Sequence, residues 1–103
     1  MPSETYLDFC FIQKTTGTLA SDVKSMFESV FNRERLHWYL DNKEEDGMEI
    51  VVAEVKGMSR WSCEEDVIDH LEENATEQFW ETLQGYQLQV LPLKKGSGKC
   101  GNG

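Results

Sequence analysis

TYLDFCFIQK, residues Thr5 to Lys14, is the stretch that decides the fold. Apolar and aromatic side chains occupy both of its alternating sets, one being Leu7, Phe9 and Phe11 and the other Tyr6, Cys10 and Ile12. Such a strand is typical of the interior of a sheet, because an edge strand with one wet face would alternate apolar with polar residues. We therefore predict a central strand here.

A helix is predicted directly after this strand. From Leu19 to Phe31 the apolar residues recur at intervals of three and four, which places them on one face of a helix of about four turns. Thr18 precedes the first of them, and a threonine hydroxyl can cap a helix N-terminus. The helix is therefore amphipathic, with one face available to cover the sheet.

Two more strands are predicted next. LHWYLD, Leu36–Asp41, is short and aromatic, and MEIVVAEVK, Met48–Lys56, is rich in β-branched residues. The NKEEDG segment between them is typical of a turn, so the two strands should form a hairpin. Like the first strand, the Met48–Lys56 strand is apolar on both alternating sets.

A second helix is predicted over Ser62–Leu83. Ser62 and Glu65 match the capping box, in which two side chains satisfy backbone amides at the start of a helix. Asn74 and Glu77 resemble a second capping box and indicate a kink or a break at that point. We therefore predict one helix that is kinked or broken near Asn74.

The chain should end in a strand and a tail. Gly85 is typical of a helix end, and YQLQVLPLK, Tyr86–Lys94, alternates as a last strand. GSGKCGNG, residues 96–103, has no core residues and predicts a flexible glycine-rich tail. Residues 1–95 are therefore predicted to form a single α+β domain, as expected for 103 residues.

The predicted order of strand, helix, strand, strand, helix, strand resembles the ferredoxin-like βαββαβ arrangement. This resemblance implies a four-stranded antiparallel sheet in the order 4-1-3-2 with two helices on one face. Pro92 supports it, because a proline lacks the N–H of a ladder and is best tolerated in an edge strand such as the fourth.

The net charge of −9 is concentrated in one region. Residues 41–81 hold 14 acids against the three bases Lys43, Lys56 and Arg60. An acidic domain repels nucleic acid and anionic membranes and attracts basic partners. The chain has no apolar run of about 18 residues and no signal-peptide pattern. We expect a soluble cytoplasmic protein that contacts neither nucleic acid nor membrane directly.

No pattern predicts catalysis. His37 and His70 lack the spacings of a zinc site, so no metal is expected. Cys10, Cys63 and Cys100 are widely spaced and odd in number, which predicts reduced thiols and not a disulfide framework. No residue is a candidate nucleophile or base, and the sequence predicts neither an enzyme nor a cofactor.

The acidic run within Ser62–Leu83 is the strongest functional signal, with eight carboxylates and no lysine or arginine. The candidate partner-binding residues are Glu64, Glu65, Asp66, Asp69, Glu72, Glu73, Glu77 and Glu81. Along one straight helix they would place about one charge per 3.4 Å over about 27 Å, similar to the phosphates along one strand of B-DNA. An ordinary solvated helix face is the alternative.

Two functions are predicted from these patterns. The first is a non-enzymatic acidic interaction module, an inhibitor or nucleic-acid mimic that binds a basic protein or a nucleic-acid-binding complex. In size and charge the chain is similar to small acidic anti-restriction, anti-CRISPR and toxin-immunity proteins. The alternative is a homodimeric ferredoxin-like domain, either a small-ligand-binding regulator or a cofactor-free enzyme. It would use the sheet face that two helices leave uncovered.

Overall fold

The computed structural model describes residues 3–32 and 34–92. Its elements, in chain order, are β1 (Ser3–Lys14), α1 (Leu19–Val30), β2 (Arg35–Glu45), β3 (Met48–Ser59), α2 (Glu64–Asn74), α3 (Glu77–Thr82) and β4 (Leu83–Pro92). The predicted tail, residues 96–103, lies outside the described ranges, as does Cys100.

The four strands form one antiparallel sheet in the order β2-β3-β1-β4. Strand β1 pairs with β3 from Ser3 to Lys14 and with β4 along its other edge, where the register shifts between Cys10 and Phe11. This order is the predicted 4-1-3-2 read from the opposite edge. The predicted central position of the first strand is confirmed, and β4, which ends at Pro92, is an edge strand.

The core lies between the sheet and the helices. Odd-numbered residues of β1 and β3 are buried there, and five phenylalanine rings pack at its centre: Phe9, Phe11, Phe27, Phe31 and Phe79. The ring centroids of Phe9 and Phe27 are 5.6 Å apart, and those of Phe11 and Phe79 are 5.3 Å apart. Because α1, α2 and α3 all contribute to this one cluster, the helices cover a single face of the sheet.

The second predicted helix is divided in two. Helix α2 ends at Asn74, and Ala75 and Thr76 take extended backbone conformations with ψ of 151° and 170° before α3 begins at Glu77. The break falls where the second capping-box pattern indicated it. Gly85 does not end a helix: α3 ends at Thr82, and Gly85 lies in β4 opposite Cys10.

The capping box predicted at Ser62 and Glu65 is wrong. The residue before α2 is Cys63, and no side chain caps the helix in the predicted way. Instead, the Oδ2 atom of Asp66 accepts a hydrogen bond from the Ser62 backbone N–H at 2.8 Å. The carboxylate of Asp66, the residue after Glu65, therefore holds the backbone that leads into α2.

The β2–β3 hairpin is longer and its turn tighter than predicted. Residues Asn42 to Glu45 pair with β3, so most of the NKEEDG segment is strand. The turn itself is Asp46–Gly47, with φ of 52° and 77°. Two consecutive positive φ angles are those of the two-residue type I′ turn, which Asp-Gly favours because its twist matches the flanking strands.

Helix α1 is capped from a distant strand. Glu49 of β3 is only 4% exposed, and its carboxylate accepts hydrogen bonds from the N–H groups of Thr16 (3.2 Å), Gly17 (2.9 Å) and Leu19 (3.4 Å). The Leu19 amide is the first of α1 and the other two lie in the loop just before it, where the helix dipole favours a negative charge. The buried carboxylate therefore ties the β1–α1 loop to the sheet.

Thr18 precedes α1 as predicted, but its hydroxyl does not cap the helix. The Thr18 hydroxyl donates a hydrogen bond to Oδ2 of Asp22 at 3.2 Å.

Burial raises the pKa of Glu49, but the hydrogen bonds from Thr16, Gln13 and Leu19 lower it by more. The pKa of Glu49 therefore lies below its ordinary value of 4.5.

Substitution of two neighbouring valines of β3 tests which face of the sheet packs against the core. Val51 is fully buried and Val52 is 39% exposed on the opposite face. We expect Val51→Ala to reduce the free energy of unfolding by about 2 kcal/mol and the melting temperature by roughly 10 °C, because it leaves a cavity among packed rings. Val52→Ala should cost less than about 0.5 kcal/mol. Equal losses in urea denaturation would contradict the assigned core.

A second test concerns the cap on α1. Because the pKa of Glu49 is lower in the folded protein than in the unfolded chain, its contribution to stability is present above pH 4.5 and is lost as the pH falls through the folded-state pKa. Glu49→Gln should therefore destabilise the protein at pH 7, and its deficit should shrink below pH 4.5. Glu45→Gln, on the exposed end of β2, is the control. Urea denaturation at several pH values measures both, and a pH-independent deficit would refute the assignment.

Candidate protein-interaction site

Two of the eight predicted site residues hold the fold together. The half-buried Glu64 accepts a hydrogen bond from the Val90 backbone N–H through its Oε2 atom, at 2.8 Å, and so ties α2 to the edge of β4. The half-buried Asp66 accepts the Ser62 N–H. These carboxylates are committed to local structure, and their assignment to partner binding stays a prediction that no contact supports.

Four of the other acids share one side of α2. We call Glu65, Asp69, Glu72 and Glu73 the acidic stripe; all four are exposed. At 100° per residue they fall within an arc of about 100° on the helix surface. The buried residues Val67 and Leu71 lie on the opposite side. Helical periodicity thus turns the acidic stripe outward, away from the sheet.

Glu77 and Glu81 are also exposed, but they belong to α3. The extended residues at the break separate them from the acidic stripe. The straight 27 Å row of charges expected from the sequence is therefore wrong, because α2 has 11 residues and is about 16 Å long. Like-charge pairs four residues apart remain within each helix, at Glu65–Asp69 and Asp69–Glu73 in α2 and at Glu77–Glu81 in α3.

Few positive charges lie along this part of the sequence. From residue 61 to residue 92 there is no lysine or arginine. Within residues 3–32 and 34–92 one ion pair forms, between Arg60 and Glu34 at 3.6 Å, and it involves none of the stripe residues. Within the described ranges, the negative charges of the acidic stripe therefore face solvent without a cationic side chain in ion-pair contact.

His70 does not belong to the acidic surface. Its Nε2 atom lies 2.6 Å from the backbone oxygen of Val30, which can only accept, so Nε2 carries the hydrogen. The ring lies between Phe31 and Trp61, with centroid distances of 6.4 and 5.3 Å. His70 therefore fixes the end of α1 against α2.

No described helix packs on the opposite face of the sheet. We call the region of this face that extends from Glu4 to Ile12 along β1, together with the residues paired to it in the other strands, the open face. Strand pairing assigns it Glu4, Tyr6, Asp8, Cys10 and Ile12 of β1, Arg35, His37, Tyr39, Asp41 and Lys43 of β2, Ile50, Val52, Glu54, Lys56 and Met58 of β3, and Gln87, Gln89 and Leu91 of β4. Either alternating set of β1 could have been the uncovered one. The structure assigns Tyr6, Cys10 and Ile12 to it.

A shallow cavity of about 410 Å³ lies on the open face. It is lined by Glu4, Tyr6, His37, Tyr39, Lys56, Gly57 and Met58. The Lys56 Nζ atom is 5.5 Å from the centre of the Tyr39 ring. Tyr6 donates a hydrogen bond to Glu4 at 3.1 Å, and this bond raises the pKa of the Tyr6 phenol above 10.0. His37 is an exposed residue of β2.

One of the two described cysteines departs from the predicted reduced state. Cys63, at the start of α2, is disulfide-bonded. Cys10 is a free, half-buried thiol on the open face. Wide spacing along the sequence did not exclude a disulfide, because folding can bring distant residues together.

The described ranges contain neither a metal-ligand cluster nor a membrane-spanning helix. Their side chains form no group of three histidine, cysteine or acidic residues able to hold a metal ion. Their helices are too short and too polar to cross a membrane.

No protein-family model and no curated protein matches this chain. Two solved structures of designed proteins are similar to it. The de novo designed protein Foldit4 is 12% identical with a TM-score of 0.56, over 88% of this chain and 99% of its own. The de novo designed protein Ferredog-Diesel is 18% identical with a TM-score of 0.42, over 85% and 83%. The likeness to Foldit4 concerns the fold alone, a small α+β fold.

Charge reversal on α2 separates the exposed acids from the structural ones. Asp69→Lys should raise the free energy of unfolding by about 0.5 kcal/mol, because it replaces repulsion of Glu65 and Glu73 with attraction. Asp66→Lys should lower it by about 1 kcal/mol, since the Ser62 N–H loses its acceptor and a positive charge meets the helix N-terminus. Denaturant titration of both variants measures the difference, and a stabilised Asp66→Lys would overturn the assigned roles.

Proposed function

We propose that this protein is a non-enzymatic interaction module that binds a basic surface of a partner protein through the acidic stripe. The observation that carries this proposal is that all four stripe residues face outward on one helix, with no lysine or arginine in residues 61–92. Solvated helix faces commonly alternate charges, which relieves repulsion between residues four apart. A run of one sign retains that repulsion until a positive surface approaches.

The proposed partner has a groove rich in lysine and arginine. The chain's net charge of −9 adds a long-range attraction that speeds encounter with such a surface. A groove that normally holds nucleic acid has this chemistry, so the module would act as an inhibitor or nucleic-acid mimic by occupying it. The mimicry rests on charge and on the exposed position of the stripe, not on a long regular row of phosphate-like groups.

We infer that the fold is ferredoxin-like. Support comes from the order of elements, in which strand–helix–strand is followed by strand–helix–strand, and from the sheet order β2-β3-β1-β4. The short helix α3 is an addition to that arrangement, placed between α2 and β4.

A small-ligand site or a cofactor-free active site on the open face is the alternative function. The cavity beside Tyr39 and Lys56 favours it. Ligand pockets usually bury most of the ligand among converging polar groups. The ring of Tyr39 is 60% exposed, and His37 and Lys56 are exposed as well. The open cavity gives a reacting group little shelter from water, so we place this function second.

Binding by the acidic stripe can be tested with a double charge reversal. Asp69→Lys with Glu73→Lys should weaken partner binding at least about 100-fold, because two attractive contacts become repulsive. The partner is first captured from the host lysate at low salt, purified, and titrated by calorimetry. Wild-type affinity should fall steeply between about 50 and about 500 mM salt as screening shortens to a few ångströms.

The matched control carries the same charge change elsewhere. Glu44→Lys with Glu45→Lys alters the exposed end of the hairpin and should retain binding within about threefold. If both double variants bind equally well, or if affinity does not respond to salt, the stripe is only a solvated helix face. Competition between this protein and nucleic acid for the captured partner tests the inhibitor form of the proposal.

A further inference from the structure

The open face exposes large apolar side chains. Tyr6, Tyr39, Val52 and Leu91 are 40%, 60%, 39% and 42% exposed. Cys10, Ile12 and Ile50 are half-buried beside Val52 and form the centre of the face. Large apolar side chains exposed together on one side of a sheet commonly mark an interface.

The charges on the open face divide between its two halves. The β2–β3 half carries the bases Arg35, Lys43 and Lys56, with His37, against the acids Asp41 and Glu54. The β1–β4 half carries the acids Glu4 and Asp8 and no base. Lys14 and Glu45 lie beyond the open face, at the end of the sheet where the hairpin turns. One half of the open face is therefore net positive and the other net negative.

We propose that the open face binds a second copy of this chain, through a two-fold axis that runs parallel to the strands between β1 and β3. Rotation about this axis places the positive β2–β3 half of each copy on the negative β1–β4 half of the other. The interface is then self-complementary, as a two-fold dimer requires. A partner with a surface of one sign would meet repulsion from one of the two halves.

The strand register specifies the apolar contacts of this dimer. Residues paired across β1 and β3 exchange places, so Val52 meets Cys10 of the second copy and Ile50 meets Ile12 of the second copy. Each contact occurs twice, once on either side of the axis. The centre of the interface is therefore apolar.

The same register specifies the charge contacts. Lys56 meets Tyr6 of the second copy, with Glu4 and Asp8 two residues away on either side and within reach of a lysine side chain. Glu54 meets Asp8 of the second copy, a like-charge pair that the neighbouring Lys56 partly neutralises. Asp8 of the second copy thus lies opposite an acid, whereas Glu4 of the second copy lies opposite the uncharged Met58. The attractive charge pair of the interface is therefore Lys56 with Glu4, and it forms once on each side of the axis.

The area of the face suits a dimer. The nine residues from Glu4 to Ile12 span about 30 Å, and four strands span about 19 Å, so each copy presents roughly 570 Å² in projection. Side-chain relief increases the accessible area, which brings the total near the 1,200 Å² or so at the lower end of specific interfaces. The acidic stripes lie beyond the helices, on the two outer sides of the dimer, where repulsion between the copies is least.

Complementary charge reversals test the proposal. Lys56→Glu and Glu4→Lys each remove both Lys56–Glu4 contacts of a dimer and replace them with repulsion. Each variant alone should dimerise at least about tenfold more weakly than wild type in sedimentation equilibrium. An equimolar mixture should recover a heterodimer of near wild-type affinity. In it the glutamate introduced at position 56 of one chain meets the lysine introduced at position 4 of the other, and the unchanged Glu4 and Lys56 form the second contact.

The controls make the same charge changes on the helix side. Lys24→Glu and Glu28→Lys alter exposed positions of α1 and should leave the dimer intact. Circular dichroism confirms that each variant is folded. The proposal is overturned if the wild-type chain is a monomer at concentrations on the order of 100 µM. It is overturned equally by a dimer that the two face variants do not weaken, by a mixture that does not associate, or by a monomer that binds a small molecule on this face.

Discussion

The pairing of β1 along both of its edges is the constraint on which the rest of the structure depends. Twelve residues pair with β3 on one side, and β4 pairs on the other. Once β1 is fixed, its alternation dictates which side chains face the helices. Phe9 and Phe11 then face the helices, where Phe27 of α1 and Phe79 of α3 pack against them. A slip of one residue would put these rings in water and bring polar groups of the opposite face into the core.

The same alternation separates two surfaces with different chemistry. Acid collects on the outer side of α2, while the opposite side of the sheet mixes aromatic, aliphatic and oppositely charged groups. Because the core lies between them, an occupant of one surface does not block the other. Binding of a basic partner and pairing of two copies could therefore occur together, and a dimer would present two acidic stripes to one elongated or repeated target.

Patterns within one element were sufficient to predict much of the fold. Alternation identified the central strand, and the order of elements gave the sheet order. Features set by distant partners could not be read in this way. The cap of α1 comes from Glu49, the role of Glu64 from an amide in β4, and the role of His70 from the end of α1. Both alternating sets of β1 are apolar, so which one is uncovered became clear only from the packing.

The hydrogen bond between Glu64 and the Val90 N–H has a consequence for how such molecules can assemble. Edge strands invite other strands to extend the sheet, and uncontrolled extension leads to aggregation and fibres. On β4 one outward-facing amide is already occupied by a carboxylate. A strand arriving at that edge would have to displace this bond and approach a negative charge. Lateral growth at β4 is thereby discouraged, which favours assemblies that close on themselves over open-ended polymers.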